Sequence, residues 1–176
     1  MYELHENEQY FFTSQTLDTL ARFLESYARV AVLCAPMLGR VLAETGRDVR
    51  ILDIDDRFAK VRGYRCWDIQ RPERLAEAFD IIVCDPPFFN VSLSRLFRAI
   101  RMLAHERFDQ PLLLSYLRRR SNALLGTFSP FTLEPTGFCP DYVSVQRAER
   151  NDVEFFGNLG VDRYRVLSQP QDGLTD

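Results

Sequence analysis

The sequence predicts an α/β domain with a seven-stranded, mostly parallel sheet and helices on both faces. Three observations lead there. Short apolar runs recur at 29–34, 49–54, 64–67 and 81–84, most of them rich in β-branched residues and bounded by polar ones. That is the pattern of strands buried on both sides of a parallel sheet. Stretches with helical apolar spacing lie before, between and after these runs. The second, third and fourth runs end in Asp53, Asp68 and Asp85, at the carboxyl ends where open α/β sheets take their ligands.

Each element follows in chain order. Tyr10, Phe11 and Phe12 precede a helix that Ser14 is placed to cap, with Leu17, Leu20, Ala21 and Leu24 as its apolar stripe. The three aromatics either staple this helix to the sheet or form a lid over a ligand. The strand 29–34 ends at Cys34, and Ala35-Pro36-Met37-Leu38-Gly39 leads into a helix over 40–44. A nucleotide-binding α/β domain carries its glycine-rich loop here; only Gly39 is present, while Pro36 at a helix start leaves backbone N–H groups to face a ligand. The strand 49–54 runs into Asp53-Ile54-Asp55-Asp56, about 20 residues after that loop, the spacing of a ribose-binding acid. Alternation sends Asp53 and Asp55 to one side; Asp53 is the first candidate, with Asp55 as neighbour or substitute, and capping of the next turn is the competing role. After Gly63 the strand 64–67 ends at Asp68-Ile69, a carboxylate and an aliphatic surface suited to an adenine ring, or simply a helix-start acid before a helix from Pro72 to Ala78.

The strand 81–84 is followed by Asp85-Pro86-Pro87-Phe88-Phe89. Each proline fixes φ and removes an N–H, so the turn is stiff and its carbonyls lack local donors. The Asp85 carboxylate and the Pro86 carbonyl then form two acceptors matched to one –NH2 group, and Phe88 and Phe89 offer a flat apolar face. Beyond it the sequence predicts a helix over 91–105, a strand over 111–116, a helix over 117–125 bearing Arg118, Arg119 and Arg120, and strands over 128–133 and 153–157. The intervening stretch 135–150 reads as a substrate-side rim. The expected layout is one domain over 1–160, comprising an aromatic segment and helix (1–28), a binding and catalytic core (29–126) and terminal strands with the rim (127–160); a loose polar tail (161–176) completes it.

Composition narrows the function classes. The chain has 176 residues, 46% of them hydrophobic, enough for one substantial core. A net charge of −3 argues against a protein that coats nucleic acid generally, while leaving room for a local basic patch. No apolar run is long enough to span a bilayer, so a cytoplasmic protein is expected. Cys34, Cys66, Cys84 and Cys139 are dispersed without a Cys-x-x-Cys pair, a pattern that does not suggest a metal site.

Acids ending strands two to four over a ribose- and adenine-containing ligand, beside a trap for an amine, suit methyl transfer to nitrogen from S-adenosylmethionine. Its sulfonium methyl is already electrophilic, so catalysis is largely alignment of a lone pair.

The motif Asp85-Pro86-Pro87-Phe88 resembles the (Asp/Asn)-Pro-Pro-(Tyr/Phe) signature of class I amino-methyltransferases. More of the chain is similar to the "probable N6-adenine methyltransferase" family, which includes lysine methyltransferases of elongation factor 1A and a zinc-knuckle adenine methyltransferase of ribosomal RNA. The matching stretches are Gln9-Tyr10-Phe11-Phe12, Ala35-Pro36, Asp53-Ile54-Asp55-Asp56-Arg57-Phe58, Phe79 through Phe88, and Asn151 through Phe156. The resemblance implies a Rossmann-like, seven-stranded class I S-adenosylmethionine-dependent methyltransferase fold. It implies Asp85, Pro86, Pro87 and Phe88 as catalytic residues. Cys34, Ala35, Pro36, Asp53, Asp55, Asp68, Ile69 and Asp85 are expected at the cofactor, and Tyr10, Phe11, Phe88 and Phe89 at the substrate. Expected acceptors are adenine N6 in RNA or DNA, then a protein lysine; a binding subunit that has lost catalysis is a third possibility raised by the glycine-poor loop.

Overall fold

A computed structural model describes residues 2–146 and 148–168. Seven strands, β1 (Arg29–Leu33), β2 (Asp48–Asp53), β3 (Tyr64–Cys66), β4 (Ile81–Cys84), β5 (Leu112–Leu117), β6 (Glu134–Pro135) and β7 (Val153–Gly157), form one sheet in the order β3-β2-β1-β4-β5-β7-β6. The first five are parallel; β7 runs antiparallel to β5, and β6 to β7. Strand order reverses direction between β1 and β4, so the loops leaving these strands diverge and open a crevice. Leu33 and Cys84 are register partners, which brings Cys34 and Asp85 to its lip.

Period-2 alternation divides the core into two layers. On one face, α1 (Ser14–Phe23) and α2 (Pro36–Glu44) bury Leu20, Leu38 and Leu42 against Val30, Val32, Ile51 and Val83. On the other, α3 (Leu93–Leu103) and α4 (Ser121–Thr127) bury Leu96, Ile100, Leu103 and Leu124 with Leu33, Leu52, Ile82 and Leu114. Each such side chain contributes about 1.5–3 kcal/mol by leaving water. Gly39 lets α2 approach the sheet: a Cβ there would stand 2.5 Å from Ile51 Cγ1. Among the described residues no helix is long and apolar enough to cross a membrane.

Several local expectations are corrected. Thr13, not Ser14, caps α1, accepting from the Thr16 N–H at 3.3 Å. No helix forms from Pro72 to Ala78. The carbonyls of Glu73 and Glu77 are taken by Trp67 Nε1–H at 3.0 Å and by His105 Nε2 at 2.9 Å, outside any helical ladder, while Leu75 and Phe79 still bury against the sheet. The strand expected over 128–133 is a short 3-10 turn, Ser129–Phe131, because Phe128 and Phe131 both pack edge-on against Phe97, at 5.3 and 5.9 Å. That leaves β6 with two residues. Residues 161–168 do not behave as a loose tail: α5 (Val161–Tyr164) and a 3-10 turn (Arg165–Ser168) bury Tyr164 and Leu167. The rest of the expected tail, 169–176, lies outside the described residues.

Candidate active site

The turn after β4 is braced on several sides. The Asp85 N–H donates to the Leu33 carbonyl at 3.1 Å, tying the corner to β1. Asp85 Oδ1 accepts the Tyr142 hydroxyl at 2.8 Å and also the Ser115 hydroxyl from the adjacent strand β5. Burial nevertheless pushes the Asp85 carboxyl up to about 7, the two hydroxyls opposing that rise. The Glu8 carboxylate accepts the N–H groups of Phe89 (3.1 Å) and Asn90 (2.7 Å). Phe88 stands edge-on to Tyr116 at 5.7 Å, and the Arg120 guanidinium lies 5.6 Å over the Tyr116 ring. Pro86 is buried, and its carbonyl takes no hydrogen bond among the described residues.

Two cavities meet at this corner. The first, about 210 Å³, lies over the ends of β1 to β4 and is lined by Cys34, Asp53, Ile54, Trp67, Asp68, Ile69, Asp85 and Pro87. Asp53 is only 7% exposed, and its Oδ1 accepts the Asp55 N–H at 2.9 Å. Burial, aided by the neighbouring Asp55 charge, raises the Asp53 carboxyl to about 6. Asp68 Oδ1 accepts the Gln70 N–H at 2.8 Å, which aims the carboxylate from a turn. Cys34 sits at φ 57, a left-handed conformation usually supplied by glycine. The glycine-poor loop therefore still makes the sharp turn that such a loop needs.

The second cavity, about 140 Å³, lies on the other side of the corner against Tyr10, Phe88, Phe89, Leu117, Tyr142 and Val153. Glu8 lines both.

Not every expected site residue reaches a cavity. Ala35 and Pro36, the N-cap and first residue of α2, line neither, and buried Pro86, expected among the catalytic residues, lines neither because the chain packs it inward at the corner. Asp55 is occupied by Arg57, at 2.7 Å, and by Gln9 Nε2, at 2.8 Å, and its side chain caps the turn at Asp56–Phe58. Those donors hold its carboxyl below the usual carboxylate range despite the burial that pushes the other way. Phe11 turns inward, edge-on to Phe58 at 6.4 Å, and is buried in the core, where its ring leaves water. Sequence reasoning missed Glu8, Ser115 and Tyr142. Ser115 had a signal, as the one polar residue inside the apolar run 112–117; Tyr142 had none.

The arrangement combines a buried carboxylate at the tip of β2, an acid and an aliphatic wall after β3, and an acid followed by two prolines after β4. A sequence profile described as "Probable N6-adenine methyltransferase" matches residues 3–159. The chain belongs to that family. It is an enzyme, a methyltransferase whose methyl donor is S-adenosylmethionine. No curated protein matches this member of the N6-adenine methyltransferase family. Its fold is similar to that of solved methyltransferases. One is the magnesium protoporphyrin IX methyltransferase of Synechocystis with bound S-adenosylmethionine, at TM-score 0.55 and 15% identity over 81% of this chain and 78% of that one. Another is an S-adenosylmethionine-dependent methyltransferase of Clostridium acetobutylicum, at TM-score 0.56 and 8% identity over 82% and 90%. A third is a TehB-like methyltransferase of Corynebacterium glutamicum, at TM-score 0.54 and 14% identity over 79% and 86%.

Proposed function

We propose that this methyltransferase modifies an exocyclic amine, N6 of adenine in RNA or DNA, at the corner Asp85-Pro86-Pro87-Phe88. The observation that carries the reading is the Asp85 carboxylate, which lines the first cavity and accepts a hydrogen bond from Tyr142, a wall residue of the second. With Oδ1 held by two hydroxyls, Oδ2 and the unbonded Pro86 carbonyl are the acceptors left for an –NH2 group. Gripping both amine hydrogens aims the nitrogen lone pair across the corner. Phe88 and Phe89 give the base a face to stack on. The family description supports adenine as acceptor.

The first cavity fits S-adenosylmethionine. Asp53 is a buried carboxylate with one oxygen left for ribose hydroxyls, Asp68 suits the adenine amine, and Ile54 and Ile69 form apolar walls for the ring. Left-handed Cys34 turns the chain away from the ligand. When bound, the donor supplies an electrophilic methyl carbon; that carbon's bond to sulfur breaks as the nitrogen–carbon bond forms, and the nitrogen then loses a proton. Asp85, poised near neutrality, is placed to receive that proton or hold the amine that sheds it.

One observation favours a second acceptor, a protein lysine. Glu8 with Tyr10, Phe88, Phe89 and Tyr142 forms an aromatic wall bearing one carboxylate, a surface suited to an alkylammonium. Such an amine, with an ordinary pKa near ~10.4, must shed a proton first.

Tritiated-methyl labelling of a cell lysate, divided by nuclease and protease treatment, tests the acceptor. Label lost to nuclease supports adenine; label that survives nuclease and is lost to protease shifts the reading to lysine. Asp85→Ala is expected to abolish labelling while S-adenosylmethionine affinity, read by calorimetry, stays within about twofold, because the donor's ribose and adenine are held elsewhere. An active Asp85→Ala enzyme removes the corner from the reaction.

A further inference from the structure

Tyr142 lies 57 residues from Asp85 in the chain, on a loop without helix or strand, yet its hydroxyl reaches Asp85 Oδ1 at 2.8 Å. The N-terminal segment holds it there. The Val143 N–H donates to the Phe11 carbonyl at 2.9 Å, and the Thr13 N–H to the Asp141 carbonyl at 2.9 Å. The Asp141 N–H donates to Thr16 Oγ1 at 3.0 Å, and the Phe12 ring packs 5.2 Å from that of Tyr142. Ser115 approaches the same carboxylate oxygen from β5.

A carboxylate on a short side chain can turn either oxygen to a ligand. Two donors converging on Oδ1 fix which one turns. We propose that Tyr142 and Ser115 are positioning residues for the transfer, pinning Oδ1 so that Oδ2 faces the amine, and that the Phe11–Thr13 segment serves the reaction by holding Tyr142 in place. This rests on the amine-acceptor reading above.

The electrostatic surroundings give the two hydroxyls a second task. Asp53, Asp68 and Glu8 line the same cavity as Asp85, and among the described residues no cationic side chain does. Cys34 and Cys84 face Asp85 as neutral thiols, their ionisation suppressed by burial. Burial opposes ionisation of Asp85, and the hydroxyls of Ser115 and Tyr142 support it. Tyr142 itself remains a protonated donor, because burial and the Asp85 charge push its ionisation well up. A protonated Asp85 carries a hydrogen where the amine must donate, so losing either hydroxyl moves the working pH upward.

The test uses Tyr142→Phe, which keeps the ring, Ser115→Ala, and the double variant in the full chain. Carbon-13 NMR of the Asp85 carboxyl, without any acceptor, should show an upward-shifted titration in each single variant and a larger shift in the double. Unchanged titration overturns the clamp, whatever the acceptor proves to be. In turnover, kcat at neutral pH should fall roughly 10- to 100-fold. The acid limb of the pH profile should move upward while S-adenosylmethionine affinity is kept. Phe12→Ala should reproduce the displaced limb without touching Asp85; a lowered melting temperature with an unmoved limb would confine Phe12 to packing and refute the segment's part. A wild-type enzyme that labels neither nucleic acid nor protein defeats the amine reading instead, and the NMR titration still decides the clamp.

Discussion

Asp53 and Asp85 are carboxyls that burial keeps reluctant to ionise, at about 6 and about 7. Between the ordinary carboxylate range and those values the folded protein holds protons that the unfolded chain has released. Their contribution to stability is therefore fully present at low pH and is lost as pH rises through about 6 and then about 7. On the proposed assignment ribose hydroxyls donate to the ionised Asp53, so donor binding runs the other way. S-adenosylmethionine affinity is predicted to rise between about pH 5 and about pH 7 and then level off, with Asp53→Asn binding weakly and without that slope. Calorimetry across that range checks it. Cys34 makes a further residue-scale demand: its left-handed backbone strains any branched side chain. Cys34→Val should be less stable than Cys34→Gly by about 1–3 kcal/mol in urea denaturation.

Elements are where the sequence was most and least legible. β1, β2 and β4 stood out because short, mostly apolar runs are best buried between two helical layers. The acids at the tips of β2 and β4 were equally visible, since an acid ending such a run has few structural uses. The segments 72–78 and 128–133 misled because their shape is set by partners far away in sequence. Trp67 and His105 take the carbonyls of the first, and Phe97 organises the second. Tyr142 was invisible for the same reason: a tyrosine in a loop acquires meaning only when another segment carries it to an acid. Gly39 was noted only as a remnant of a phosphate loop, yet its use is close packing of α2 on β2. Gly39→Ala should cost about 1–3 kcal/mol, since the added methyl meets Ile51 at 2.5 Å. A chemical-denaturation midpoint equal to wild type would show that Ile51 moves aside freely.

At the scale of the molecule, the antiparallel β7 lies between β5 and the edge strand β6 and leads into the last described residues, which pack on the core. Gly157 at its end abuts the Tyr164 hydroxyl, which accepts the Leu159 N–H at 2.8 Å. Tyr164→Ala should therefore lose about 3–5 kcal/mol, read as a lower thermal midpoint, although the residue lies far along the chain from the corner at Asp85. Little effect would mean that residues 161–168 contribute nothing to the core they cover.

The wall at Glu8 has an evolutionary corollary. On the proposed assignment, donor recognition is written into the tips of β1 to β3, while the opposite chamber is shaped by Glu8 and Tyr10 of the N-terminal segment and by Tyr142, Val145 and Asn151. On that assignment, substitutions at Tyr10, Val145 and Asn151 would retarget the enzyme while the hold on Asp85 and the machinery that presents the methyl group stay as inherited.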